Sequence, residues 1–173
     1  MHNHAEPGYQ CPICLGVRKI ENKDTLIKKS DIVFQNKLVT AFVASFFVGR
    51  NAGHLIIVPN RHFENIYDLP EEYGKEIFRM SKKLALAAKK AYLCDGITIM
   101  QNNEPGGDQH AFHYHLHIFP RYEKDDFSSN MNNKKLTDFR VRRSYAEKIK
   151  RKLKINLQAE VAESADSLRT NFS

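Results

Sequence analysis

The sequence predicts an α+β chain. Short runs rich in β-branched and aromatic residues recur from Ile32 to Pro120, one long amphipathic helix is set among them, and a basic segment follows. The strongest single signal is Phe112-His113-Tyr114-His115-Leu116-His117-Ile118-Phe119-Pro120. Successive side chains on a strand point to opposite faces, so a strand here lines up His113, His115 and His117 on one side. Tyr114, Leu116 and Ile118 then face the core. A row of imidazoles is compatible with a solvated polar face, with a His-x-His metal site, or with catalysis by neutral imidazole. Local pattern does not rank the last two.

The other elements follow in order. Met1 to Gln10 lacks apolar periodicity and reads as a flexible lead-in, with His2 and His4 incidental. Cys11-Pro12-Ile13-Cys14 is either a redox pair or half of a zinc site. Ile32–Asn36 and Leu38–Val43 read as two short strands, Phe46–Val48 and a turn-prone Gly49–Gly53 follow, and His54–Pro59 is a further strand. The apolar run of the last suggests a central position. Pro70-Glu71-Glu72 opens a helix with Asp68 as its expected cap and acids at its positive dipole end. Tyr73, Ile77, Met80, Leu84, Ala87 and Ala91 form its apolar stripe. Cys94 reads as a small buried residue. Asp95-Gly96 turns the chain into a strand over Ile97–Gln101. A Gly-rich loop from Asn102 to Gln109 then leads to the histidines. Periodicity fades after Arg121. Lys124–Lys135 is polar, Tyr145–Leu157 reads as a basic helix, and the last residues read as frayed.

Totals narrow the class. With 173 residues, 42% of them hydrophobic, the chain suits one domain with an extension. We divide it into a lead-in (1–10), a core domain (11–122) and a basic, partly helical extension (123–173). The net charge is +7. Lys134 to Lys154 holds ten Lys or Arg against Asp138 and Glu147, so that window accounts for the whole surplus. Positive charge is compatible with anionic partners and by itself does not select among nucleotides, nucleic acids and membranes. Three cysteines and no export signal argue against a disulfide framework, and no apolar run is long enough for a membrane span. A cytoplasmic protein that does not bind membranes is expected.

Together, His54-Leu55-Ile56-Ile57-Val58-Pro59-Asn60-Arg61-His62, the long helix and Gln109 to Phe119 resemble the histidine triad (HIT) family. Its signature, His-φ-His-φ-His-φ-φ with φ apolar, is met by residues 113–119, and the resemblance covers roughly residues 11–122. It implies an α+β fold with a five-stranded antiparallel sheet, one long helix and a short one, usually paired into a homodimer. It also implies a nucleotide hydrolase or transferase acting at an α-phosphate, with a purine nucleotide as substrate.

By that resemblance, His115 is the nucleophile, forming a covalent nucleotidyl-histidine. His117 assists the leaving group, and His54 adds a polar contact. Asn102 and Gln109 match positions that contact phosphate. His110 stands where Ser or Thr is common. An acidic or amide residue often precedes the first conserved histidine by eight positions and holds the ribose. That position here is Phe46, with Ser45 adjacent. The Cys-x-x-Cys branch of the family implies a structural zinc on Cys11, Cys14, His62 and His113, and the chemistry requires no catalytic metal. Alternatives are a nucleotidyl transferase or phosphorylase, a nucleotide-binding protein with little turnover, or a nucleic-acid-associated protein that uses the basic extension, for instance on adenylated DNA ends.

Overall fold

The computed structural model describes residues 2–170, with side chains described for residues 2–156 and Gln158. Alternating β-branched residues build five strands: β1 Ile32–Gln35, β2 Val39–Val43, β4 Leu55–Pro59, β5 Gly96–Gln101 and β6 Leu116–Arg121, with β3 the two residues Phe46–Phe47. The five-stranded sheet runs β1-β2-β4-β6-β5 and every pairing is antiparallel. β4 lies at its centre, as its apolar run predicts. β3 pairs instead with β7, Lys135–Leu136, in a separate ribbon.

Period-two alternation divides the sheet into two faces. Val39, Ala41, Val43, Leu55, Ile57 and Ile118 point to one face and are almost wholly buried. Helix α2, Glu71–Tyr92, covers them with Ile77, Met80, Leu84, Ala87 and Ala88. Each fully buried Leu, Ile or Met contributes about 1.5–3 kcal/mol. On the other face, Phe42 and Val58 pack beneath α1, Pro12–Val17, while Phe119 packs with Val48 and Phe127. The histidines belong to this second face.

Four local expectations need correction. The strand carrying the histidines begins only at Leu116. Upstream, Tyr114 N–H donates to the Phe63 carbonyl at 2.6 Å and His113 N–H to Ala111 at 2.8 Å, so the chain leaves the β4–β6 ladder. Asp68 does not cap α2: Pro70 occupies the cap with no side-chain bond. At the far end, Lys89 Nζ donates to the Cys94 and Asp95 carbonyls.

The lead-in has no regular structure but is tied down. The backbone N–H groups of His4 and Ala5 donate to the Glu64 carboxylate, and His4 pairs with Glu104 at 2.9 Å. The polar stretch after Tyr122 contains α3, Phe127–Asn130, and leads into β7. The basic helix is longer than expected. This helix, α4, spans Phe139–Thr170 and is not a solvated rod. Arg142, Ala146, Ile149 and Leu153, spaced four, three and four apart, are buried in one stripe against α2 and the sheet. The expected fraying falls largely on residues 171–173, outside the described residues.

Two contacts seat α4. Arg142 donates from Nε and Nη2 to Asp31 at 3.1 and 2.9 Å, and from Nη1 and Nη2 to the Thr137 and Leu26 carbonyls. Tyr145 lies against Gly53, whose φ of +78° suits glycine and where a Cβ would stand 2.2 Å from the Tyr145 ring. The exposed side of α4 carries the positive charge. Among the described residues, no helix is long and apolar enough to cross a membrane.

Candidate functional site

Three imidazoles meet on the second face. His117 points there from β6 and His54 from the residue before β4. The His54 and His117 ring centroids are 5.5 Å apart, and His115 and His117 are 4.9 Å apart. Phe119 stacks against both His54 and His117 and floors the cluster.

Burial keeps these rings neutral. It lowers the proton affinity of His54 to a pKa of about 3, and it holds His115 and His117 below the usual histidine range. The Nδ1 atoms of His54 and His117 are buried without a hydrogen-bond partner among the described residues. His115 differs. Its Nδ1 donates to the His113 carbonyl at 2.7 Å, which places the proton on Nδ1 and the lone pair on Nε2. A buried, neutral, oriented imidazole with a free lone pair is suited to nucleophilic attack.

The first triad histidine points elsewhere. His113 is fully buried, and its Nε2–H donates to the Pro59 carbonyl at 3.0 Å. Its Nδ1 lies 3.4 Å from both Cys11 Sγ and Cys14 Sγ. His62 Nδ1 lies 3.4 Å from Cys14 Sγ. All four ligand atoms fall within 4.8 Å of one another. In a tetrahedral site, Zn–S of about 2.3 Å and Zn–N of about 2.0–2.1 Å put S and N roughly 3.5 Å apart. The group therefore fits a tetrahedral metal. Its outer partner is the Pro59 carbonyl, which fixes the His113 tautomer as metal-binding histidines require. Thus the three triad histidines share the second face but not one role: His113 turns to the cysteines at α1, while His115 and His117 lie together near His54.

The loop residues divide similarly. Asn102 Nδ2 donates to the Gly107 carbonyl at 2.6 Å, while its Oδ1 is buried and unpartnered among the described residues. Gln109, expected to contact phosphate, has its amide fully engaged. Nε2 donates to the Glu64 and Ala111 carbonyls, and Oε1 accepts from Glu104 N–H. This geometry makes Gln109 a clamp on the loop. His110 is exposed, and Ser45 is half-buried with its carbonyl accepting from Thr137 N–H. Phe46 is committed to the β3–β7 ribbon.

One charged residue at the site was not expected. The Lys134 charge acts on both His54 and His117. In the sequence it reads only as the first cation of a basic run, and its position depends on a β3–β7 pairing that two-residue strands do not announce.

Comparison with known proteins places this arrangement. The HIT domain pattern matches residues 26–124. Protein hit of Bacillus subtilis is 35% identical over 94 residues, which cover 54% of this chain and 63% of that protein, so the likeness spans less than two thirds of the relative's length. A Hit-like protein of Bartonella henselae superposes with a TM-score of 0.67 at 26% identity, covering 83% of this chain and 96% of its own. A zinc-bound histidine triad protein of Mycobacterium smegmatis gives 0.71 at 20% identity, covering 87% and 97%. Diadenosine triphosphate hydrolase of Plasmodium falciparum gives 0.63 at 17% identity, covering 87% and 86%. The last two likenesses concern the fold alone. The domain match spans more than half of the chain and contains the histidine cluster, so this protein belongs to the HIT domain family.

Proposed function

We propose that the protein is a nucleotide hydrolase that cleaves at the α-phosphate through a covalent nucleotidyl-histidine on His115. The observation that carries this is the His115 tautomer. Its Nδ1–H is held by the His113 carbonyl, and its Nε2 has no hydrogen-bond partner among the described residues.

The Nε2 lone pair forms an N–P bond. The P–O or P–N bond to the leaving group breaks, and its electron pair goes to the departing atom. His117, beside His115, assists that atom in taking up a proton. His54 and Asn102 add polar contacts to the phosphoryl oxygens. Water then attacks phosphorus, and the N–P pair returns to Nε2 as a nucleoside monophosphate leaves. Substrates are dinucleoside polyphosphates or nucleoside phosphoramidates of a purine. The Plasmodium neighbour, a diadenosine triphosphate hydrolase, supports the fold as a frame for such chemistry.

The proposal includes a structural zinc on Cys11, Cys14, His62 and His113. The convergence of their ligand atoms and the zinc-bound Mycobacterium neighbour support it. Such a metal would tie the N-terminus to the backbone that presents His115.

A homodimer is also proposed. β5 is the last strand of the sheet, and Leu93 and Ile99 beside that edge are exposed at 82% and 48%. An unpaired apolar edge is a ready surface for a second strand. Light scattering that returns a monomer mass would remove this part.

Steady-state release of AMP from diadenosine polyphosphate and adenosine phosphoramidate tests the hydrolase proposal. Parent turnover with a His115→Ala loss of at least about 1,000-fold supports it. Appearance of ADP only when inorganic phosphate is added would identify a phosphorylase instead. Absence of turnover under both conditions would sink the enzymatic reading.

A further inference from the structure

The extension beyond the HIT match delivers one cation to the histidine cluster. In the β3–β7 ribbon, Leu136 lies opposite Phe46 and Lys135 opposite Phe47. Lys134 immediately precedes Lys135 and Val48 immediately follows Phe47, so both residues flank the last pair of the ribbon. Val48 packs against Phe119, the ring on which His54 and His117 stack. Its place at the end of the ribbon, next to the chain that carries Val48, brings Lys134 close enough for its charge to reach His54 and His117.

Its position is held from behind. Thr137 N–H donates to the Ser45 carbonyl at 2.9 Å, and Arg142 Nη1 donates to the Thr137 carbonyl at 2.6 Å while its fork grips Asp31. Lys134 is itself exposed, with no ion-pair partner among the described residues. Its charge acts on His54 and His117, and no carboxylate is among the charges acting on either ring. A cation near neutral imidazoles, with no carboxylate acting on them, leaves a positive field unbalanced, and such a field suits an anion.

We infer that Lys134 is a substrate-binding residue that grips phosphates on the leaving-group side, so that the protein prefers a polyphosphate chain to an uncharged leaving group. The inference rests on the nucleotide reading above. The side follows from which rings it is near: the ribbon end lies by Val48, which packs on the Phe119 ring beneath His117, and Lys134 is among the charges acting on His117, which serves the leaving group, and not among those acting on His115. It requires no contact with the phosphorus that His115 attacks. It also gives the extension a task within the site, because the ribbon that aims Lys134 is closed by residues 135–137.

The test compares the parent, Lys134→Ala and Lys134→Arg. The first readout is the ratio of kcat/KM for diadenosine tetraphosphate to that for adenosine phosphoramidate, whose amine leaving group carries no phosphate. Loss of one charge-assisted phosphate contact lowers that ratio by about tenfold or more in Lys134→Ala, with most of it recovered in Lys134→Arg. The second readout is calorimetric binding of ATP and AMP, which needs no turnover. Lys134→Ala weakens ATP more than AMP. A ratio and an ATP-to-AMP preference both unchanged in Lys134→Ala would overturn the inference while leaving the hydrolase reading intact. A parent that cleaves neither substrate, together with an ATP-to-AMP preference lowered in Lys134→Ala, would support Lys134 and remove the hydrolase reading. A parent that binds neither nucleotide would remove both.

Discussion

The carbonyl of His113 accepts a 2.7 Å hydrogen bond from Nδ1 of His115, and the ring of the same His113 points its own Nδ1 at the thiols of Cys11 and Cys14. One residue thus joins the metal-type cluster to the proposed nucleophile. Its side chain is fixed by two thiols and the Pro59 carbonyl, and its backbone in turn fixes the tautomer of the neighbour two positions on. Because Tyr114 N–H bonds Phe63 and the chain is out of the sheet ladder here, the sheet does not fix this geometry. The Cys–His cluster does.

Metal content follows. Purified parent is expected to carry one zinc per chain by mass spectrometry, and Cys14→Ser none. A ligand at about 1,000 times its Kd adds about 4 kcal/mol to stability, so chelation should lower the thermal midpoint and zinc should restore it. A zinc-free parent with an unchanged midpoint contradicts the assignment.

Arg142 and Asp31 make a second test. Their side chains are 4% and 0% exposed, and Arg142 has no water-facing escape. Truncation in Arg142→Ala leaves the Asp31 carboxylate buried without its partner and is expected to cost about 3–5 kcal/mol in urea unfolding. The double change Asp31→Leu with Arg142→Met should recover most of that loss, since it removes both charges together. A single-variant cost below about 1 kcal/mol contradicts the seating of α4 by this pair.

Acid should weaken the fold through its histidines. Burial depresses His54 to a pKa of about 3 in the folded chain, against an ordinary value of 6.5. Between those values the unfolded chain binds the extra proton, so stability is complete above pH 6.5 and falls as pH drops toward 3. The slope from one such group is at most about 1.4 kcal/mol per pH unit. Urea unfolding between pH 6.5 and 4.5 should show a shallower slope in His54→Phe than in the parent. That window lies above the range in which Asp125, held well below the usual carboxylate range by Arg121, begins to contribute. Equal slopes contradict a buried neutral His54.

Much of this was legible in the residues, and the remainder was not for identifiable reasons. Strands β2, β4 and β5 follow their β-branched runs, and the stripe from Ile77 to Ala87 is the buried side of α2. Cys11, Cys14, His62 and His113 converge as the family resemblance implies. Strict alternation misled at His113 and His115, because hydrogen bonds to Phe63 and Ala111 outside the ladder decide that backbone. The motif position of Gln109 says nothing of its partners within the chain, the Glu64 and Ala111 carbonyls and the Glu104 N–H, which folding brings near. The α4 stripe was hidden because Arg142, one of its four buried members, is charged and is matched by Asp31, 111 residues away. Lys134 was hidden by the ribbon, whose register no periodicity encodes.

The most direct test of the central claim is capture of the covalent intermediate. Parent and His115→Ala are mixed with diadenosine polyphosphate labelled at the α-phosphate, quenched within a single turnover, and digested to locate the label. The account predicts acid-labile, base-stable label on the peptide carrying His115 in the parent, decaying to labelled AMP, and none in the variant. Labelled AMP formed by the parent at a single-turnover rate that His115→Ala reproduces, with no label on protein, would contradict it.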